Sequence, residues 1–339
     1  MNSLCKPQRN FTEDESEAGI RALLDHHETS VEPAATSTHG DTCAPTTEAE
    51  AEFRHSGWRE RRQRTALALG KAGSTPATLH RFHQCGAAAW IMADPADNTR
   101  FRIQSERCRS RWCEACGRER RSLIQMNLAK HLPKQRIRFM TLTLKSTDDQ
   151  PEVCVRRLYA CFRKLRQRQK MKSLIRGGIA FLELTYTPER RQFHPHLHII
   201  FEGNYVPHAQ LRNEWLSVTG DSFIVDVRQV ARPDHAIGYV AKYASKSIGP
   251  SIWKDDDAFA AVIRGLKGVR TLFTFGTWRN FKLLDAPQDD TAWQTIGKLE
   301  TMIQRAKSGD PEACRILNAL GRYIPADEHA DASLFADDG

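Results

Sequence analysis

At 339 residues the chain has room for roughly two domains, at least one with a sizeable core. Its formal net charge of +9 suits a polyanionic partner, and its nine cysteines, an odd number, suit a reducing cytoplasm better than a disulfide framework. No apolar run nears the roughly 20 residues that cross a bilayer, and the N-terminus lacks the apolar centre of a secretory signal, so neither a membrane span nor export is expected.

The charge is unevenly spread. Glu13, Asp14, Glu15, Glu17, Asp25, Glu28, Glu32, Asp41, Glu48, Glu50 and Glu52 crowd residues 1–52. This arm has little hydrophobic periodicity, and its composition predicts disorder with at most a transient helix near Ile20. Everything after it is more basic than the average, which favours nucleic acid over a membrane surface. Residues 53–79 form a basic helical segment, with Arg59, Arg61, Arg62, Arg64 and Lys71 around Trp58. It either contacts DNA or is simply a solvated charged helix.

Residues 80–125 carry Cys85-Gly86 and then Cys108-x4-Cys113-x2-Cys116. Zinc takes about four soft ligands in a tetrahedron, and a Cys-x2-Cys knuckle supplies two from one tight turn. Cys108, Cys113 and Cys116 are near neighbours; Cys85 is the natural fourth, with His83 or His80 as substitutes. Arg107, Arg109, Arg111, Arg118, Arg120 and Arg121 would then line a cationic edge.

Residues 136–146 read as a strand, because Met140, Leu142 and Leu144 alternate with Thr141, Thr143 and Lys145. A helix starts at Pro151 with an apolar stripe at Val155, Leu158, Phe162 and Leu165. Gly177-Gly178 is expected to break the pattern before a second strand over 179–187. A turn at 188–192 leads into His194-Pro195-His196-Leu197-His198-Ile199-Ile200-Phe201, so the two strands pair as a hairpin. Period-two alternation puts His194, His196 and His198 on one face. Imidazoles stacked on a pleated face can share a divalent cation. Glu183 has the parity to join them as a hard oxygen ligand, and His194 is its rival for the third position.

Further on, a helix is expected over 208–218 and a strand over 223–230. Asp234 could cap a helix over 235–247. There Tyr239, Lys242, Tyr243 and Lys246 fall at i, i+3, i+4 and i+7 and share a face. A strand over 271–275 and helices over 291–306 and 311–320 follow, with a frayed acidic tail at 327–339. The order predicts an α+β fold: an antiparallel sheet covered by helices over 135–284, with C-terminal helices at 285–326.

A phenol with a pKa near 10 is a poor nucleophile at neutral pH. It becomes useful where a cation helps it lose its proton and the target phosphorus is polarised. His196 and His198 could hold that cation, and Lys242 could stabilise phenolate or phosphate.

Phe139-Met140-Thr141-Leu142-Thr143-Leu144, His194-Pro195-His196-Leu197-His198 and Tyr239-Val240-Ala241-Lys242-Tyr243 resemble, in order, the three motifs of HUH endonucleases. Within that superfamily the chain resembles plasmid rolling-circle replication initiators over residues 80–250. The resemblance implies an HUH-type (ferredoxin/RRM-like) sheet preceded by a zinc-binding element. It implies nicking of single-stranded DNA at an origin through a 5′-phosphotyrosine, with Mg²⁺ or Mn²⁺. By motif position Tyr243 is the primary nucleophile. The implied partner is origin DNA, single-stranded or in a hairpin, with a host helicase and polymerase and no membrane; Arg109, Arg111, Arg118, Lys145 and Lys246 are the expected DNA contacts. One departure stands out. Many such initiators have a glutamate one helical turn before the tyrosine, where this chain has Tyr239, as in two-tyrosine phage initiators. That favours strand transfer between tyrosines over a water-based termination. A two-tyrosine transposase, or a non-enzymatic zinc DNA-binding regulator, would account for parts of the same pattern.

Overall fold

The computed structural model describes residues 54–55, 58–132, 137–230, 248–286 and 289–321. The arm at 1–52, the tail at 327–339 and the helix expected over 235–247 lie outside them. In chain order the described elements are α1 (Arg59–Lys71), α2 (Pro76–His83), β1 (Trp90–Asp94), β2 (Asp97–Gln104), α3 (Glu114–His131) and β3 (Ile137–Thr143). Then come α4 (Pro151–Gln167), α5 (Gln169–Leu174), β4 (Ile175–Thr187), β5 (Gln192–Gly203), α6 (His208–Thr219) and β6 (Val225–Gln229). Last are α7 (Pro250–Lys254), α8 (Asp256–Gly265), β7 (Leu272–Gly276), β8 (Gln294–Lys298), α9 (Leu299–Lys307) and α10 (Pro311–Gly321). Among the described residues no helix is long and apolar enough to cross a membrane.

The chain divides into two compact units. The smaller holds a three-stranded antiparallel sheet in the order β2-β1-β8. Ile91, Phe101 and Ile103 pack one face of it against Leu299, Met302, Ile303, Ile316 and Leu317 of α9 and α10. This unit departs from expectation: 291–306 is not one helix but strand β8 followed by α9. β8 pairs with β1, a partner some two hundred residues away, and a long-range ladder overrides local helical spacing. The β1–β2 hairpin turns at Asp94, whose carboxylate accepts from the Ala96 amide at 3.0 Å.

The larger unit is built on a five-stranded antiparallel sheet in the order β6-β3-β5-β4-β7. Strands β3, β4 and β5 are covered on both faces for most of their length. On one face α4 starts with Pro151 in its first turn and buries Cys154, Val155, Leu158, Cys161, Phe162 and Leu165. Phe162 meets Phe275 of β7 edge-on, and Trp215 of α6 donates its indole N–H to the Thr143 carbonyl at 2.8 Å.

Gly177 and Gly178 do not break the second strand; β4 runs straight through them. A Cβ on Gly178 would come within 2.2 Å of the Ile200 carbonyl oxygen, and one on Gly177 within 2.2 Å of the Thr277 hydroxyl. These glycines are close-approach positions inside a sheet, a second use of the residue that sequence reading conflates with turns. Beyond the glycines, β4 turns through Arg191, in the left-handed region at φ 51°, into β5.

The opposite sheet face decides the site. Cross-strand partners in an antiparallel ladder share a face. Ile137 and Phe139 of β3, Ile179 and Phe181 of β4 and Ile200 of β5 gather with Ile124 and Leu128 of α3, Trp278 and Leu283 in one buried cluster. Continuing along the same face, β3 changes to Thr141 and Thr143, β4 to Glu183 and Thr185, and β5 to His198, His196 and His194. Three adjacent strands therefore switch from apolar to polar at the same level.

Candidate active site

The β4–β5 register sets Glu183 opposite His196 and Thr185 opposite His194, while β3 sets Thr141 opposite His198 and Thr143 opposite His196. The rings of His196 and His198 lie nearly parallel, with centroids 6.2 Å apart, and those of His194 and His196 are 4.3 Å apart. Phe139 stacks on His198 from the apolar side, at 5.9 Å between centroids. His198 Nε2 meets Glu183 Oε2 at 2.7 Å, and its Nδ1 meets Thr141 Oγ1 at 3.1 Å. His196 Nδ1 meets Thr143 Oγ1 at 3.0 Å.

Burial dominates the electrostatics. Loss of water disfavours the imidazolium of His196 and holds its pKa down to about 4; His194 adds to the effect and the Glu183 carboxylate opposes it. His194 is lowered for the same leading reason. A ring held neutral keeps a lone pair for a cation, so this is a donor set of imidazole nitrogens with one carboxylate. Glu183 touches His198 directly and stands opposite His196 in the ladder, whereas His194 stands at the outer end of the row.

Tyr239, Lys242, Tyr243 and Lys246 lie outside the described residues. The described chain resumes at Ile248, which bridges Leu184, the residue after Glu183, and the Gly249 amide donates to the Leu184 carbonyl at 2.7 Å. A Cβ on Gly249 would press on Thr185 Cγ2 at 3.0 Å, so glycine eases this close return.

The second cluster is made of cysteines. Cys85 and Cys108 are drawn together by the Gly86 amide donating to Glu106 and the Glu106 amide donating to Ala87, at 2.9 and 2.8 Å. Cys113 is the N-cap of α3, and Cys116 sits in its first turn. The four buried sulfurs all lie within 4.8 Å of one another. Among the described residues they are the one set in which three or more ligand atoms approach this closely. Sequence reading missed their neighbours: Arg54 donates Nε–H to Cys85 Sγ at 3.4 Å, and His55 Nε2 meets the Cys85 carbonyl at 3.2 Å.

The expected DNA contacts divide. Arg109 is exposed, in the left-handed region at φ 53°. Lys145 is exposed, its amide tied to Ser222 Oγ. Arg118 lies over the Trp58 ring at 4.7 Å. Arg111 differs from these: it is half-buried and donates to the Val269 carbonyl at 2.8 Å, and burial lowers its pKa.

A family model described as "Replication protein" matches residues 100–317, more than half of the chain. Among curated proteins, "Protein rep" of Staphylococcus aureus is 28% identical over 181 residues, covering 48% of this chain and 79% of the relative. "Protein rep" of Streptococcus pneumoniae is 26% identical over 194 residues, 50% of this chain and 60% of the relative. "Protein rep" of Bacillus amyloliquefaciens is 27% identical over 201 residues, 51% of this chain and 58% of the relative. The matches thus span less than two thirds of the last two relatives. No solved structure matches the chain.

Proposed function

The chain belongs to the replication protein family, and on that footing we propose that it is a plasmid rolling-circle replication initiator that nicks one strand of origin DNA and later rejoins it. The observation that carries this reading is the polar end of one sheet face, where His196 and His198 stand between the threonines of β3 and Glu183 of β4. Two imidazoles and a carboxylate suit Mg²⁺ or Mn²⁺, and His196, His198 and Glu183 are the residues that would hold it. Bound there, such a cation supplies Lewis acidity toward a phosphate oxygen. The fold that this reading implies for the five-stranded sheet is of the HUH type.

The chain's own residues do the rest. The Tyr243 phenol loses its proton and attacks a backbone phosphorus; the bond to the 3′-oxygen breaks, leaving a free 3′-hydroxyl and a 5′-phosphotyrosine. Lys242 offsets the phenolate charge. The phosphotyrosine keeps the energy of the cleaved link, so rejoining needs no ATP. Tyr239, four residues earlier in the chain, takes the second strand transfer. Chain length supports the reach: Tyr243 is five residues before Ile248, and five extended residues span at most ~18 Å. Arg109, Arg118, Lys145 and Lys246 bind phosphates of single-stranded or hairpin DNA, and the four cysteines hold Zn²⁺, which stabilises the element around α3.

The test is a nicking assay on single-stranded oligonucleotides carrying the origin, with Mn²⁺. Cleavage with a covalent protein–DNA adduct is expected from the parent and not from Tyr243→Phe. Sequence-specific binding without any cleavage would favour a non-enzymatic regulator instead.

A further inference from the structure

Both histidines that this reading assigns to the cation rest their second ring nitrogen on a threonine of β3. His196 Nδ1 is 3.0 Å from Thr143 Oγ1, and His198 Nδ1 is 3.1 Å from Thr141 Oγ1. The pairing is written into the ladder, since each threonine is the direct cross-strand partner of its histidine. Thr143 is buried and Thr141 half-buried, so neither hydroxyl is a casual surface group.

A hydroxyl differs from most partners of a metal-bound histidine, because it both donates and accepts. His198 shows why that matters. Its Nε2 lies 2.7 Å from a Glu183 oxygen. A carboxylate only accepts, so Nε2 carries the proton, and in a neutral ring Nδ1 must then accept from the Thr141 hydroxyl. A cation on Nε2 needs that lone pair. The proton then sits on Nδ1, and the same hydroxyl has to turn and accept. A backbone carbonyl, which only accepts, would serve the second arrangement and forbid the first.

We propose that Thr141 and Thr143 are positioning residues whose hydroxyls hold the His198 and His196 rings, and that the Thr141 hydroxyl, by reversing its hydrogen bond, lets His198 pass between its pairing with Glu183 and a cation-bound form. This rests on the cation reading of the site. For a neutral His198 ring, one proton leaves Nε2 and one joins Nδ1 in the exchange, so no net proton is gained or lost. Partners of this kind orient a ligand and set its affinity, and their loss typically costs about 10–100-fold in metal binding.

The experiment compares the full-length parent with Thr141→Val, Thr143→Val, Thr141→Ser and Thr143→Ser, zinc left in place. Valine keeps the branched shape that suits a strand and removes only the hydroxyl; serine restores it. Mn²⁺ titration by calorimetry should show binding about 10–100-fold weaker in each valine variant and within about twofold of the parent in each serine variant. Valine variants that bind Mn²⁺ as the parent does would overturn the proposal while leaving the cation reading intact. A parent that binds no Mn²⁺ would remove both. A second readout needs no variant: two-bond ¹H–¹⁵N spectra of histidine-labelled parent should show His198 protonated at Nε2 without cation and at Nδ1 with Mg²⁺. Protonation at Nδ1 in the cation-free parent would overturn the switch.

Discussion

The desolvated ring of His196 makes the stability of the cation-free protein depend on pH in a direction and range that can be worked out. In the unfolded chain this imidazole titrates near 6.5; in the fold, burial holds it at about 4. Between those values the unfolded state binds a proton that the folded state refuses. Stability therefore rises with pH across this window, and falls as pH is lowered from about 6.5 to about 4. The shift is about 2.5 units, and each unit is about 1.4 kcal/mol, so the loss attributable to this ring is about 3 kcal/mol. Other groups titrate over the same range, which makes the difference between two proteins the useful quantity. Urea unfolding of the parent and of His196→Gln at pH 7 and pH 4, with no added Mg²⁺ or Mn²⁺, isolates it. The parent should lose about 3 kcal/mol more than the variant on acidification. Equal losses in both would mean that the ring is hydrated in the fold, and the argument for a neutral, cation-ready imidazole would go with it.

Four further outcomes follow from the same structure. His198→Ala should cut Mn²⁺-dependent cleavage by more than about a hundredfold while DNA binding, dominated by phosphate contacts, stays within a few-fold in a gel-shift titration. Protein purified without chelators should carry about one Zn²⁺ per chain by metal analysis, and Cys113→Ser should release it and raise hydrogen exchange first around the start of α3. Gly178→Ala should destabilise the sheet by more than about 3 kcal/mol in urea unfolding, because its Cβ would meet the Ile200 carbonyl, a backbone atom that cannot swing away. Tyr239→Phe should nick a fresh origin strand normally yet release few closed circles, whereas Tyr243→Phe should give no adduct by mass spectrometry of the trapped peptide.

How much of this was legible beforehand depended on whether the signal was local. The apolar stripe of α4 and the alternation of β3 are local patterns, and the structure has both elements within a few residues of where spacing put them. The two-residue parity of Glu183 and the histidines was legible too, although parity alone does not choose a register. What escaped depended on distant partners. β8 is a strand because β1 is there to pair with it, and Gly177-Gly178 lie in a strand because the neighbouring backbones crowd them. α3 went unread because its buried Ile124 and Leu128 are diluted by polar and charged residues. Arg111 shows the limit for sites. A guanidinium in a basic cluster reads as a phosphate ligand, and its bonds to the carbonyls of Leu266 and Val269 come from residues too distant in the chain to be foreseen.

The placement of the histidines follows from how one sheet face is shared. A strand face packed entirely on α3 would leave no room for a ligand; one wholly exposed would leave the imidazoles hydrated and open to protonation from about pH 6.5 downward. The face is instead divided. The apolar end, Phe139 and Phe181 against Ile124 and Leu128, anchors the three strands rigidly, and Phe139 carries that packing onto the first histidine by stacking on His198. Each step outward, from His198 to His196 to His194, lies further from the core, yet His196 is still dry enough to stay neutral. The polar row begins where the apolar cluster on α3 gives out, and there the imidazoles are half-buried or buried, dry enough for His196 to keep the lone pair that the proposed cation would need. Moving the pattern by one residue would turn every one of these side chains to the opposite face, under α4, so the period of two in β3, β4 and β5 is a constraint on function as much as on folding.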